Sequence, residues 1–204
     1  MKHFYAVPTQ EDQEQFVYRL YFGSKGDAFD QVIKRAYLDF SRTAHGAGSY
    51  PQAHREAARL LRHEIESLPG NKTAHTQQGF DMWHKSTCHE LCDAYSEAGF
   101  DKFSIGQAQK WINMTLKYIY VFGEKRMPGY LPLYNLCHVP IDNILLGTPE
   151  FKGLASFPDA WSRIKEYSAY MSFQTAARNR FPKLALLAVE FRAWQGDNAA
   201  HLQA

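Results

Sequence analysis

The 204-residue sequence predicts an all-α protein. Apolar residues recur at three- and four-residue spacing through most of the chain, the period of a half-buried helix. Proline, glycine and capping residues stand where those segments begin and end. No convincing strand pair, internal repeat or low-complexity tract interrupts the pattern.

Phe16, Val17, Leu20 and Tyr21 predict a helix over 11–22, and Phe29, Ile33, Ala36, Tyr37 and Phe40 a second over 27–42. The stretch 43–49 is a small-residue loop, and Ser49 is the expected cap of a third helix with Pro51 in its first turn. That helix runs to Leu68 on Ala57, Leu60, Leu61 and Ile65, and Pro69-Gly70-Asn71 stops it. A polar connector, 72–78, leads to a helix over 79–98, with Gly99 as its stop. Ser104 and Gln107 have capping-box spacing ahead of a helix over 105–122, whose apolar face is Ile105, Ala108, Ile112, Leu116 and Ile119. After a loop over 124–137, a short helix follows Pro140, a long one runs from Pro158 to Asn179, and a last one spans 183–194. Beyond Gln195 the tail is expected to fray. The expected architecture is one domain over 1–204 with two helical lobes and a cleft.

Hydrophobic residues make up 45% of the chain, enough for a sizeable core and against wholesale disorder. Aromatics at 15% suit both core packing and stacking on bases. The net charge of +2 and pI near 8.4 fall short of a strongly basic nucleic-acid binder, and leave room only for a local basic patch. Three cysteines make no disulfide framework, no secretory leader is visible, and no apolar run is long enough for a membrane span. These features predict a soluble protein of a reducing compartment, cytoplasmic and nucleoid-associated if bacterial or archaeal, and the expected state is a monomer.

Two short segments carry chemistry. Lys110 closes Phe103-Ser104-Ile105-Gly106-Gln107-Ala108-Gln109-Lys110, a tight turn feeding an apolar helix. Asp142 stands in His138-Val139-Pro140-Ile141-Asp142, where a proline sets up a helical start. By periodicity alone, Lys110 lies about 160° from the apolar centre at Ile112, where a solvated lysine would sit. Asp142 alone reads as a helix cap. Taken together, an amine close to a carboxylate can attack an anomeric carbon and form a Schiff base. Helix-start N–H groups at Gly106, Gln107 and Ala108 could hold a phosphate, aided by Lys102 and Lys117. For Trp83, Trp111, Trp194 and His138 a structural place in the core is the default, and a place in a base pocket is only what a family resemblance implies. His84, Cys88 and Cys92 recur every four residues, but three ligands on one helix reach poorly around a tetrahedral ion, so no metal is expected.

A turn ending in lysine, followed by Val139-Pro140-Ile141-Asp142, resembles the active-site signature of helix-hairpin-helix DNA glycosylases. There the hairpin reads roughly Leu-Pro-Gly-Val-Gly-x-Lys and the later segment Val-Pro-Val-Asp. The separation of 32 residues between Lys110 and Asp142 is longer than in most of that superfamily and resembles the archaeal 8-oxoguanine DNA glycosylase branch. The resemblance covers about 45 residues, Phe100 to Leu146. It implies a bifunctional glycosylase with AP lyase action on double-stranded DNA, Lys110 as Schiff-base nucleophile, Asp142 as catalytic carboxylate, an oxidised purine as substrate, and no cofactor. Ala108 stands where the second hairpin glycine is usual, Ser104-Ile105 where Leu-Pro is usual, and no four-cysteine cluster follows Asp142, so no iron–sulfur site is expected. The alternative is a non-enzymatic all-α module with a degenerate hairpin, binding DNA or protein.

Overall fold

One helix is buried on every side, and the fold is arranged around it. The computed structural model describes residues 7–154, 157 and 159–195. Its helices are α1 (Gln10–Phe22), α2 (Ala28–Phe40), α3 (Pro51–Ser67), α4 (Gln77–Ser96), α5 (Ile105–Phe122), α6 (Asn143–Gly147), α7 (Tyr167–Arg180) and α8 (Leu186–Gln195). No strand occurs among the described residues, so the all-α class holds. None of these helices is long and apolar enough to cross a membrane.

Every residue of α5 from Ile105 to Ile119 is buried. Helices α2 and α4 flank it, α3 packs on both of these, and α7 closes another side. The apolar stripe expected around Ile112 is therefore only part of its buried surface. Local signals set most helix starts. Ser104 and Gln107 form the expected capping box of α5, with Ser104 Oγ accepting from the Gln107 N–H and Gln107 Oε1 accepting from the Ser104 N–H. Thr9, Asp27 and Thr76 cap α1, α2 and α4 through side-chain oxygens.

Three expectations are corrected. Ser49 lies in a short 3₁₀ turn, and Tyr50 precedes Pro51 as a cap without a side-chain bond. The long helix over 158–179 begins only at Tyr167, because the preceding turn turns its carbonyls toward the start of α5. Ile164 O accepts from the Gly106 N–H and Ser162 O from Ser104 Oγ. The last helix starts at Leu186, after a turn at Phe181–Leu184. Pro158, the expected helix start, and the tail beyond Gln195 lie outside the described residues.

The close approach at the α5 start explains Gly106. A Cβ there would stand 2.0 Å from the Trp161 carbonyl oxygen, and one on Gly79 would stand 1.8 Å from that of Thr73. Replacing helical glycine by alanine ordinarily stabilises by about 1 kcal/mol. At these two positions the sign reverses, and Gly106→Ala and Gly79→Ala each cost about 1–3 kcal/mol. Urea midpoints check this, with Gly70→Ala, which meets nothing within 4 Å, as control. A raised midpoint for Gly106→Ala would show that the 161–164 segment can retreat.

Candidate active site

Polar side chains of α5 must find partners inside the protein, and they find them in the segment 137–142. Gln109 uses its whole amide: Nε2 donates to Gly106 O (2.9 Å) and Ile141 O (3.0 Å), while Oε1 accepts from the Ile141 N–H (3.1 Å) and Asn113 Nδ2 (3.0 Å). Gln174 of α7 treats Val139 the same way, accepting from its N–H (3.2 Å) and donating to its carbonyl (2.9 Å). Two glutamine amides thus stand in for neighbouring strands and hold an extended segment against α5.

The end of that segment is Asp142. Its Oδ1 accepts from the Leu145 N–H (2.8 Å) and caps α6, as the sequence allowed. Its Oδ2 lies 2.5 Å from Lys110 Nζ. The side chain of Lys110 is only 5% exposed and that of Asp142 20%. Lys110 is therefore not the solvated lysine that periodicity suggested. The pair opens on a cavity of about 1070 Å³.

The floor of the cavity is one face of α5: Lys110, Met114, Lys117, Tyr118 and Val121, an i, i+4, i+7, i+8, i+11 stripe. Helices α1, α2 and α8 supply walls. On the α8 side Lys117 Nζ lies 2.6 Å from Glu190 Oε1, and also 4.9 Å from the ring centre of Phe191 and 5.6 Å from that of Trp194. Burial pushes the Glu190 carboxyl up from its usual range, although the Lys117 ammonium pulls it down. Glu190 Oε2 is buried and has no hydrogen-bond partner. On the α2 side Tyr118 donates to Asp39 (2.5 Å), its hydroxyl lies 3.0 Å from that of Tyr21, and Arg35 pairs with Asp39 (3.0 Å).

The structure brings Lys110, Asp142, Lys117 and Trp194 to one cavity and leaves the other expected site residues outside it. Trp194 is 62% exposed at the rim. Trp111 is fully buried and donates to Ile33 O (3.0 Å), and Trp83 donates to Glu64 (2.9 Å), so both serve the core. His138, within the 137–142 segment, is fully buried, with Nε2 2.8 Å from Asp81 and Nδ1 2.7 Å from the Tyr170 hydroxyl. Lys117 is no surface phosphate ligand, since its ammonium is taken by Glu190. Gly106, Gln107 and Ala108 are buried, and their N–H groups go to Ile164 O, Ser104 Oγ and Ser104 O. The helix start therefore offers no free backbone donor at these positions, and the expected phosphate cradle is corrected. Lys102 is exposed, in a separate groove. Glu190 and Phe191 were missed by sequence reasoning. An acid four residues before Trp194 within the apolar run of α8 was the available signal.

Behind the site, the buried rings of His84 and His138 lie 4.5 Å apart. His84 Nε2 faces Asn113 Oδ1 (3.1 Å), which only accepts, so the neutral ring carries its proton there, and Nδ1 lies 2.9 Å from the Tyr167 hydroxyl. Burial holds both histidines below their usual pKa, and for His138 this outweighs the pull of Asp81. Burial raises Asp81, but hydrogen bonds from His138 and Arg178 carry it well below the carboxylate range. Among the described residues no group of three or more His, Cys, Asp or Glu could hold a metal ion.

Two outcomes are expected. Because both histidines bind protons less readily folded than unfolded, stability falls as pH drops below about 6.5, by up to about 1.4 kcal/mol per pH unit for each. A further loss follows below the ordinary Asp range as Asp81 is protonated on unfolding. Urea unfolding between pH 8 and pH 5 should show the first slope, reduced in His84→Asn; a flat profile would mean the rings are charged in the folded protein. Second, Lys117→Met leaves Glu190 buried and unpaired and costs about 3–5 kcal/mol, most of it recovered in Lys117→Met/Glu190→Leu. Additive losses in the double variant would contradict the pairing.

No family model, no curated protein and no solved structure matches this chain.

Proposed function

We propose that the chain is a DNA glycosylase with AP lyase action, working as a monomer on duplex DNA. The observation that carries the reading is the amine of Lys110, 2.5 Å from the Asp142 carboxylate at the edge of a cavity of about 1070 Å³. A volume of this order accommodates a nucleotide rotated out of the helix. Lys110 must be neutral to attack, and Asp142 Oδ2 is placed to accept its proton. The amine then forms a bond to the deoxyribose C1′ as the glycosidic C–N bond breaks, and the base leaves with the bonding pair and takes the proton that Asp142 accepted. Asp142, a carboxylate again, offsets the positive charge left on the sugar. The C1′–O4′ bond then breaks, a proton passes from the Lys110 nitrogen to O4′, and a protonated Schiff base joins Lys110 to the sugar. Loss of a C2′ proton then expels the 3′ phosphate by β-elimination.

The remaining cavity supports base recognition. Trp194 offers an exposed face for stacking, and Lys117 with Glu190 offers a donor and an acceptor where a purine edge would enter. An oxidised purine, which presents both donors and acceptors, is the substrate class proposed.

One observation favours a non-enzymatic reading. Asp142 is already occupied twice, by Lys110 and by the α6 cap, as a purely structural residue would be. Borohydride trapping on DNA with an abasic site separates the two. The glycosylase becomes covalently attached, and Lys110→Gln abolishes both attachment and strand nicking. Asp142→Asn keeps the cap and cuts base excision by at least about 100-fold. Nicking by Lys110→Gln at the parent rate, or no trapping by the parent, returns the chain to the binding-module reading.

A further inference from the structure

We propose that a second groove, beside the turn that opens α5, binds the sugar–phosphate backbone of duplex DNA and leads a strand to the cavity. The groove is about 730 Å³ and is walled by α4, at His89 and Cys92, and by three connecting segments: the turn after α2, the α4–α5 connection, and residues 159–165. They contribute Arg42, Lys102, Arg163 and Lys165, all exposed, against two carboxylates, Asp101 and Asp159. With histidines counted neutral the groove carries a net +2, the net charge of the entire chain. A protein whose overall charge looked too small for nucleic acid thus gathers its surplus in one place.

The carboxylates offset only one of the four cations. Asp101 accepts from Ser96 Oγ (2.6 Å), and Asp159 lies 3.7 Å from Arg163. Arg42, Lys102 and Lys165 have no carboxylate within 4.0 Å among the described residues. The walls are also tied together. Gln107 Nε2 donates to Thr43 O (2.9 Å), Ser104 Oγ donates to Ser162 O (2.6 Å), and the Gly106 N–H donates to Ile164 O (3.0 Å). The hairpin residues that cannot bind phosphate themselves hold the backbones bearing Arg42, Arg163 and Lys165 in fixed relation.

The chemistry selects a polyanion read by charge. A single phosphate would not need cations spread over three segments. Phe100 and Phe103 adjoin the groove but are only 6% exposed, so they offer no face for base stacking. Contact is therefore with the backbone and independent of sequence. Arg42 lines both the groove and the cavity of Lys110. A strand held in the groove is thereby continuous with the place where a nucleotide would be rotated inward. The choice of DNA over other polyanions rests on the proposed function; the placement of charge does not.

The test is fluorescence anisotropy of a labelled duplex of random sequence, and separately of labelled polyglutamate, over a series of salt concentrations. Arg42→Ala, Lys102→Ala and Lys165→Ala should each flatten the plot of log affinity against log salt by about one contact, for every duplex sequence alike. Lys125→Ala, an 88% exposed lysine outside the groove, should leave the slope unchanged. Unchanged slopes in folded groove variants, an equal loss in the Lys125 control, or polyglutamate bound as tightly as duplex would each overturn the proposal. Borohydride trapping reports on Lys110 separately. A parent that binds duplex through these residues but does not trap keeps the groove and removes the glycosylase reading. A parent that traps while the groove variants bind normally does the reverse.

Discussion

A helix buried on every side must satisfy its own polar side chains, and α5 is that helix. Gln109 and Asn113 are satisfied by taking hold of the chain at Val139 and Ile141. Lys110 is satisfied by Asp142 and Lys117 by Glu190. The folding requirement and the candidate chemistry therefore share a cause: two of the partners brought in to meet α5, Asp142 and Glu190, also line the cavity. Buried pairs of this kind contribute little net stability compared with apolar residues of the same shape, since desolvation offsets attraction. Their value lies in fixing where Asp142 and Glu190 stand.

Charge is distributed differently in the two concave regions. In the cavity each cation of the inner wall has its own carboxylate: Lys110 with Asp142, Lys117 with Glu190, Arg35 with Asp39. A site so balanced suits a polar but uncharged ligand that stacks and exchanges hydrogen bonds, with Trp194 at its rim. The groove has more cations than carboxylates, and most are unpaired. Backbone and base of a nucleotide differ in the same way, one anionic and one neutral. Arg42, common to both regions, stands where that difference would be read.

The turn that opens α5 is built for packing. Gly106 is needed, yet for contact with the Trp161 carbonyl rather than with a phosphate. Gln107 completes the cap of α5 and also reaches Thr43. Ala108 is fully buried, where a Cβ is no hindrance because no ligand approaches. The departure from a second glycine thus has a packing explanation.

The helical class, most helix starts, and the pairing of Lys110 with Asp142 were legible in the sequence, because caps, prolines and apolar spacing are local and the two segments carry a recognisable pattern. Which lysine lies in solvent was not. Periodicity ranks faces by apolarity, and it placed Lys110 outward on a helix that has no outward face. Trp83, Trp111 and Trp194 look alike in sequence, but only packing decides that two fill the core and one stands at a rim. Glu190, Asp39 and Arg35 come from helices far apart in the chain, and no local spacing links them to Lys110. The sequence by itself determined the helical class and most helix starts, and it singled out Lys110 and Asp142 as a pair. The tertiary structure decided what surrounds that pair, because burial and long-range hydrogen bonds depend on which faces meet, and one chain's local pattern does not contain that information.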